Sequence, residues 1–259
     1  MVRFVDAGAV DGVYAGALLE AVMKAVEEDK ADNTLLFWRP DAPTIYLGFH
    51  QRVGVEVNVE AAERMDIPVV RRVLGGGTGF CDENQVIYNL IYRMADSKLP
   101  YRPADVYQHT LKGLVYALRD LGLDSVEIDE KRYGVYVGGK KISGSGQISA
   151  RGVVNSGGSF LIDFDFEKMD AVLLDPVKNL RAGVLKAQDG MTYLRREVGD
   201  ISVEEAAKYL KGGFSRLLGG LDDDVLSGLE VDSAYKLLDK YKSREWIYRA
   251  DIRFERRSI

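Results

Sequence analysis

Two stretches of this sequence set basic side chains among small residues, and both could serve acyl or phosphoryl chemistry. The first runs Arg71-Arg72-Val73-Leu74-Gly75-Gly76-Gly77-Thr78-Gly79-Phe80-Cys81-Asp82. Its glycines let the backbone approach a ligand closely. Successive N–H groups in such a loop cradle an anion. Arg71 and Arg72 would add fork-shaped donors for a phosphate or carboxylate. Cys81, the only cysteine of the chain, is the one nucleophile candidate here. The second stretch runs Gly138-Gly139-Lys140-Lys141-Ile142-Ser143-Gly144-Ser145-Gly146-Gln147. On a strand Lys140 and Lys141 face opposite ways, so one can point into a cleft. There it could neutralise a phosphate or a developing oxyanion. Gly144 and Gly146 would let a ligand lie against the strand. Taken together, the two stretches describe a pocket for an acyl phosphate, or for an acyl group whose carbonyl must be polarised. Taken singly, each has a plainer reading: a tight turn with a solvated rim, or an exposed basic hairpin tip.

The elements around them can be read from pattern. A short apolar run, 67–70, precedes the first loop and a strand-like run, 85–92, follows it. Residues 1–7 read as a strand and 15–28 as a helix with apolar Ala17, Leu18, Ala21, Val22 and Ala25 on one side. Residues 34–39 and 44–48 read as strands joined by Arg39-Pro40-Asp41-Ala42-Pro43, a link of hairpin length. Helices are expected over 59–65, 103–121, 167–173, 202–218 and 231–241, with Pro103 in a first turn and Ser202 as a cap. Short strands are expected at 125–128, 134–137, 140–143, 153–154 and 159–163, and Trp246, Ile252 and Phe254 as a packed tail. Asp222-Asp223-Asp224 reads as a solvated loop. Hairpin-length links point to an α+β protein with mixed, largely antiparallel sheets flanked by helices.

Composition narrows the function. With 259 residues, 46% hydrophobic and 29% charged, the chain suits a soluble globular protein. A net charge of −5 argues against nucleic-acid binding through phosphate neutralisation. One cysteine and two histidines leave no metal site to expect. The N-terminus lacks the form of a signal peptide and no apolar run is long enough to span a membrane, so a cytoplasmic protein is expected. No Gly-x4-Gly-Lys-Ser/Thr loop or dinucleotide fingerprint is present, which disfavours a kinase or a dehydrogenase.

Four motifs then carry a family resemblance. Arg71-Arg72-x-x-Gly75-Gly76-Gly77 with Asp82 resembles the glycine loop of lipoate–protein ligases. Gly139-Lys140-Lys141-Ile142-Ser143-Gly144-Ser145-Gly146-Gln147 resembles their lysine strand. Leu47-Gly48-Phe49-His50-Gln51 is similar to an early strand end, and Lys240-Tyr241-x-Ser243-x-Glu245-Trp246 to a C-terminal motif. The resemblance implies the catalytic fold of biotin and lipoate–protein ligases, as a single catalytic domain over 1–259 without a large accessory C-terminal domain, and it leaves room for a separate accessory subunit. It also implies that lipoate or octanoate reacts with ATP and Mg²⁺ to an acyl-adenylate. The acyl group would then pass to a lysine of a lipoyl domain of a 2-oxoacid dehydrogenase or of the glycine-cleavage H protein. Lys141 matches the family's catalytic lysine. Arg71, Arg72, Gly75, Gly76, Gly77 and Thr78 match the loop around the adenylate, and Ser143, Gly144 and Ser145 lie on the lysine strand. Asp82 would orient a loop arginine or a metal, or cap the loop. Lys178 and Arg181 would belong to a segment closing over the adenylate.

The departures matter too. Cys81 stands where the family has histidine, and so does Gly157. Octanoyltransferase relatives use no ATP and carry the acyl chain on a Cys–Lys pair, with an acyl carrier protein as a possible donor. A Cys81–Lys141 dyad would fit that route, with the thiol pKa lowered by Arg71, Arg72 and Lys141. Cys81 reads equally well as a small buried residue filling the space of the lost histidine. Gly77, with room for a nucleotide, favours the ATP-dependent ligase.

Overall fold

The computed structural model describes residues 2–96 and 98–255. Strand β1 (Val2–Val10) leads into α1 (Gly12–Glu27), β2 (Thr34–Pro40), β3 (Thr44–Leu47), α2 (Val53–Glu56), α3 (Val59–Arg64) and β4 (Val69–Arg71). Then come β5 (Gly79–Cys81), β6 (Gln85–Arg93), α4 (Pro103–Asp120), β7 (Val126–Asp129), β8 (Gly134–Val137) and β9 (Lys140–Ser143). The chain continues through β10 (Ser145–Ala150), β11 (Val153–Leu161), α5 (Phe166–Val172), α6 (Ala187–Gly190), α7 (Leu194–Val198) and α8 (Val203–Leu218). It closes with β12 (Leu221–Asp224), α9 (Gly228–Lys242), α10 (Arg244–Ile247) and α11 (Arg249–Glu255).

The main sheet runs β10-β11-β6-β2-β1-β12. Its β1 edge is parallel and the remainder antiparallel. α4 and α8 cover one face and α1 and α9 the other. Both faces of β6 are therefore buried, which explains its nearly unbroken apolar run. α1 starts at Gly12 because Asp11 caps it, accepting from the Tyr14 amide at 2.8 Å. α4 and α8 approach closely because Gly113 and Gly213 face each other's helices; a Cβ at Gly113 would strike Phe214 at 2.8 Å.

Two small sheets complete the fold: β4-β3-β5, over a third apolar core, and β7-β8-β9. The architecture is the expected α+β one, with mixed sheets flanked by helices. Two local expectations are corrected. β2 and β3 form no hairpin: β2 pairs with β1 and β6, while β3 pairs with β4 and β5. Pro40 and Pro43, which lack the N–H a ladder needs, mark the transfer of the chain from one sheet to another. Asp222-Asp223-Asp224 is a strand rather than a loop, because parallel pairing with β1 satisfies its backbone while the side chains stay in solvent. The expected tail is the helix pair α10 and α11; the side chain of residue 254 lies outside the described residues. Among the described residues no helix is long and apolar enough to cross a membrane.

Candidate active site

Because β3 lies between β4 and β5, the glycine loop crosses the end of β3 instead of closing a turn. It lands on Gly48, where a Cβ would overlap the Gly76 carbonyl. Its other side rests on β10. The Gly75 amide donates to Gln147 O at 2.9 Å, and a Cβ at Gly146 would overlap the Gly75 carbonyl. The two stretches singled out by composition thus form one surface.

The adjacent arginines diverge, as neighbours along a strand must. Arg71 turns away from the loop and is fully buried. Its guanidinium donates to the carbonyls of Gly48, Phe49, Gln51, Trp246 and Ile247 at 2.5–3.1 Å, with the Asp251 carboxylate 3.9 Å away. The expectation that Arg71 binds an anion is corrected on this geometry: Nη1 is spent on the carbonyls of Gly48, Phe49 and Gln51, and Nε and Nη2 on those of Trp246 and Ile247. Arg72 lines the cavity, but it donates to Tyr46 O, Gly75 O and Gly77 O at 2.7–3.0 Å and so braces the loop from within.

The loop, β9, β10 and β11 enclose a cavity of about 450 Å³. Lys141 lies in its wall and Lys140 does not. Burial pushes the Lys141 ammonium down to about 8, Arg132 adding to the effect and Asp129 opposing it. Its Nζ donates to Asn179 O at 3.3 Å. Asn179 belongs to the segment 174–186, and its amide covers Gly77 so closely that a Cβ there would overlap it. The basic residues of that segment are engaged: Lys178 with Glu56 at 2.5 Å, and Arg181 with Glu127 at 2.7 Å and Asp129 at 3.4 Å. Gly144 and Ser145 line the cavity beside Lys141, whereas Ser143 is fully buried outside the wall. Away from Lys141 the wall turns apolar, with Leu19, Trp38 and Ile87 on one side and Phe164, Met169 and Leu173 on the other.

Cys81 also reaches this wall, packed against the apolar cluster under α1. Its thiol is pushed up to about 12 by burial and by Asp82, with Arg72 only partly offsetting them. The expected lowering of this pKa is corrected. Arg71 points elsewhere, Arg72 gives three of its N–H groups to carbonyls, and the Asp82 carboxylate disfavours a thiolate. Asp82 is itself buried, accepting from the Asn84 amide at 2.9 Å in the β5–β6 turn. Burial raises its carboxyl to about 6. A folded pKa above the unfolded one means that stability falls as pH rises through 4–6 and stays lower above. Asp82→Asn keeps the capping oxygen and removes that cost. Chemical denaturation should show a gain of about 2 kcal/mol at pH 7 that vanishes near pH 4.

Tyr107 and Tyr133 reach the cavity without a sequence signal of their own, whereas Thr78 and Ser145 belong to the two stretches singled out above. Thr78 Oγ1 is buried in the wall without a partner. Tyr107 and Tyr133 stack at 4.1 Å, and Ser145 Oγ donates to Tyr133 O, which fixes this part of the rim. Asn89 does not bond the glycine loop; it holds Trp38 and Asn155. His50 lies outside the wall. Among the described residues no cluster of His, Cys, Asp and Glu could hold a metal.

Comparison with known proteins agrees with this architecture. The family model described as the lipoyl protein ligase A/B catalytic domain matches residues 11–215. The octanoyltransferase LipM of Kyrpidia tusciae is 31% identical, the match covering 95% of this chain and 98% of that protein. LipM of Bacillus subtilis is 27% identical at the same coverage. Among solved structures, the bi-partite lipoate protein ligase of Thermoplasma acidophilum superimposes with a TM-score of 0.82 at 23% identity, covering 96% of each chain. A lipoate-protein ligase A bound with ATP gives the same TM-score and identity, covering 96% of this chain and 98% of that one.

Proposed function

Since the chain belongs to the lipoyl protein ligase A/B catalytic domain family, we propose that it transfers a medium-chain acyl group, octanoyl in the first instance, from a thioester donor to a protein lysine. The acceptor is a lipoyl domain or the glycine-cleavage H protein, and an acyl carrier protein suits the donor. The observation that carries the reading is Lys141, a partly buried ammonium in the wall of a cavity that also presents the apolar side chains Leu19, Trp38, Ile87, Phe164, Met169 and Leu173. The octanoyltransferase relatives favour it further. Against a nucleotide stand the Asn179 amide over Gly77 and the engaged state of Arg71, Arg72, Lys178 and Arg181.

In this reading the acyl chain lies along the apolar wall with its carbonyl oxygen at Lys141 Nζ. The Nζ–H bond now given to the Asn179 carbonyl is given instead to the substrate oxygen as it becomes an oxyanion. The acceptor amine attacks the carbonyl carbon, a C–N bond forms and the C–S bond breaks. The proton lost by the amine leaves with the thiol. Cys81, a protonated thiol in an apolar wall, forms no acyl-enzyme here.

The test incubates the protein and a lipoyl-domain acceptor with octanoyl thioester alone, or with octanoate, ATP and Mg²⁺. Acceptor mass should rise in the thioester arm. A rise only in the ATP arm would establish the ligase instead. Cys81→Ala should keep most of the thioester-dependent activity; its loss, with an octanoylated wild-type enzyme seen by mass spectrometry, would restore the Cys81–Lys141 dyad.

A further inference from the structure

Eight glycines line the cavity, and the chain itself accounts for most of them. At six of them a Cβ would stand 3.0 Å or less from another part of the protein. At Gly144 it would rest against Lys141 Cε at an ordinary 3.6 Å. Gly79 is different. Apart from its own chain neighbours, a Cβ there meets no atom of the described residues within 4 Å. The backbone does not ask for glycine either: β5 holds Gly79 extended, outside the left-handed region. Glycine inside a strand only weakens it. Neither packing nor conformation of the chain explains this residue.

Alternation along β5 tells where the open place lies. Phe80 points into the third apolar core. Gly79 therefore faces the side of Cys81, which reaches the cavity wall and packs against the cluster under α1. Tyr46, paired with Gly79 across β3 and β5, shares that face and lines the same wall, its ring 5.5 Å from Trp38. A side chain at position 79 would thus project into the cavity on its α1 side, where Leu19, Trp38 and Ile87 form the wall. Lys141 stands on β9, outside that cluster. An acyl group whose carbonyl is held by Lys141 can bury apolar surface by running toward the α1 side.

We infer that Gly79 sets the length of the acyl chain that the cavity accepts. The far end of the chain takes the place that a side chain would fill, so a larger residue at 79 shortens the acyl group that fits. This inference rests on the acyl cavity of the proposed function and leaves donor and acceptor aside. It is read by binding alone.

The experiment is titration calorimetry of the whole chain, as wild type, Gly79→Ala and Gly79→Val, with hexanoic, octanoic and decanoic acids. Wild type should bind octanoic acid at least as tightly as hexanoic acid. In Gly79→Val the ratio of octanoic to hexanoic affinity should fall about tenfold, the size expected for displacing a methylene or two from an apolar pocket. Gly79→Ala should shift the ratio the same way by less. Valine suits extended backbone. Alanine adds one carbon where nothing else of the chain lies within 4 Å, so its ratio decides the matter even if the valine variant fails to fold. An unchanged ratio would overturn the inference, because the acyl chain would then not visit this place. An equal loss for all three acids would also overturn it, by placing Gly79 at the carboxyl end they share. Failure of the wild type to bind any of them would remove the acyl cavity and the inference together. A shifted ratio without thioester transfer would uphold the inference and remove only the proposed reaction.

Discussion

Replacing Lys141 by Met is expected to lower acyl transfer about 10²–10³-fold while making the folded protein more stable. The loss follows from removing the side-chain donor that reaches the position of the oxyanion, an effect of that size in acyl-transfer sites. The gain follows from the pKa. Lys141 is held near 8 against an ordinary 10.5, so the folded state binds this proton less well than the unfolded chain. That penalty is present in full below pH 8 and disappears as pH rises toward 10.5. Methionine keeps the apolar stem and drops the charge. Thermal or chemical unfolding should therefore show a gain of about 2 kcal/mol at pH 7 and none at pH 10.5. Activity should move the same way in a profile. The acceptor amine needs to lose a proton and Lys141 needs to keep one, so the wild-type rate rises to pH 8 and then flattens. In Lys141→Arg, whose side chain stays charged, any residual rate should go on rising above pH 8. Full activity in Lys141→Met would sink the role assigned to this residue.

Replacing Arg71 by Met should destabilise the protein by about 3–5 kcal/mol, the cost of breaking a buried charged network from one side. Two groups of carbonyls lose their donor at once, those of Gly48, Phe49 and Gln51 and those of Trp246 and Ile247. Asp251, which caps the amides of Val53 and Gly54 at 3.0 and 3.2 Å, would lose its nearest cation. Trp246 Nε1 still donates to Arg71 O at 2.9 Å, so the tail is loosened rather than cut free. Lysine does not rescue this site, because one ammonium cannot reach both groups of carbonyls arranged around the edge of the guanidinium fork. Hydrogen exchange should rise first over residues 244–253. An unchanged unfolding midpoint would show that the network contributes nothing.

The longer helices α1, α4, α8 and α9 were legible because each buries an apolar stripe with a cap or a breaker at its ends. The stripe of α4 and the Ser202 cap of α8 lie where periodicity puts them. The family resemblance pointed to Lys141, and that one of the two adjacent lysines enters the cavity was legible from alternation along β9. Strand partners were not. A strand's sequence records how buried it is but not which neighbour buries it, and β2 and β3 parted for that reason.

Residue types and spacing by themselves determined the α+β class and the pocket shared by a glycine loop and a lysine strand, and the resemblance of four motifs supplied the family. These are local or pairwise properties that a short stretch of chain carries in its own chemistry. What each polar group does was decided only by the tertiary structure. Arg71 became an anchor because β4 turns it toward the C-terminal helices, and Cys81 became a protonated wall residue because burial and Asp82 outweigh Arg72. Asn179 entered the site from a distant part of the chain. The energy of a charge or an amide depends on the dielectric and the partners around it, and those are supplied by segments that fold beside it from far away in sequence.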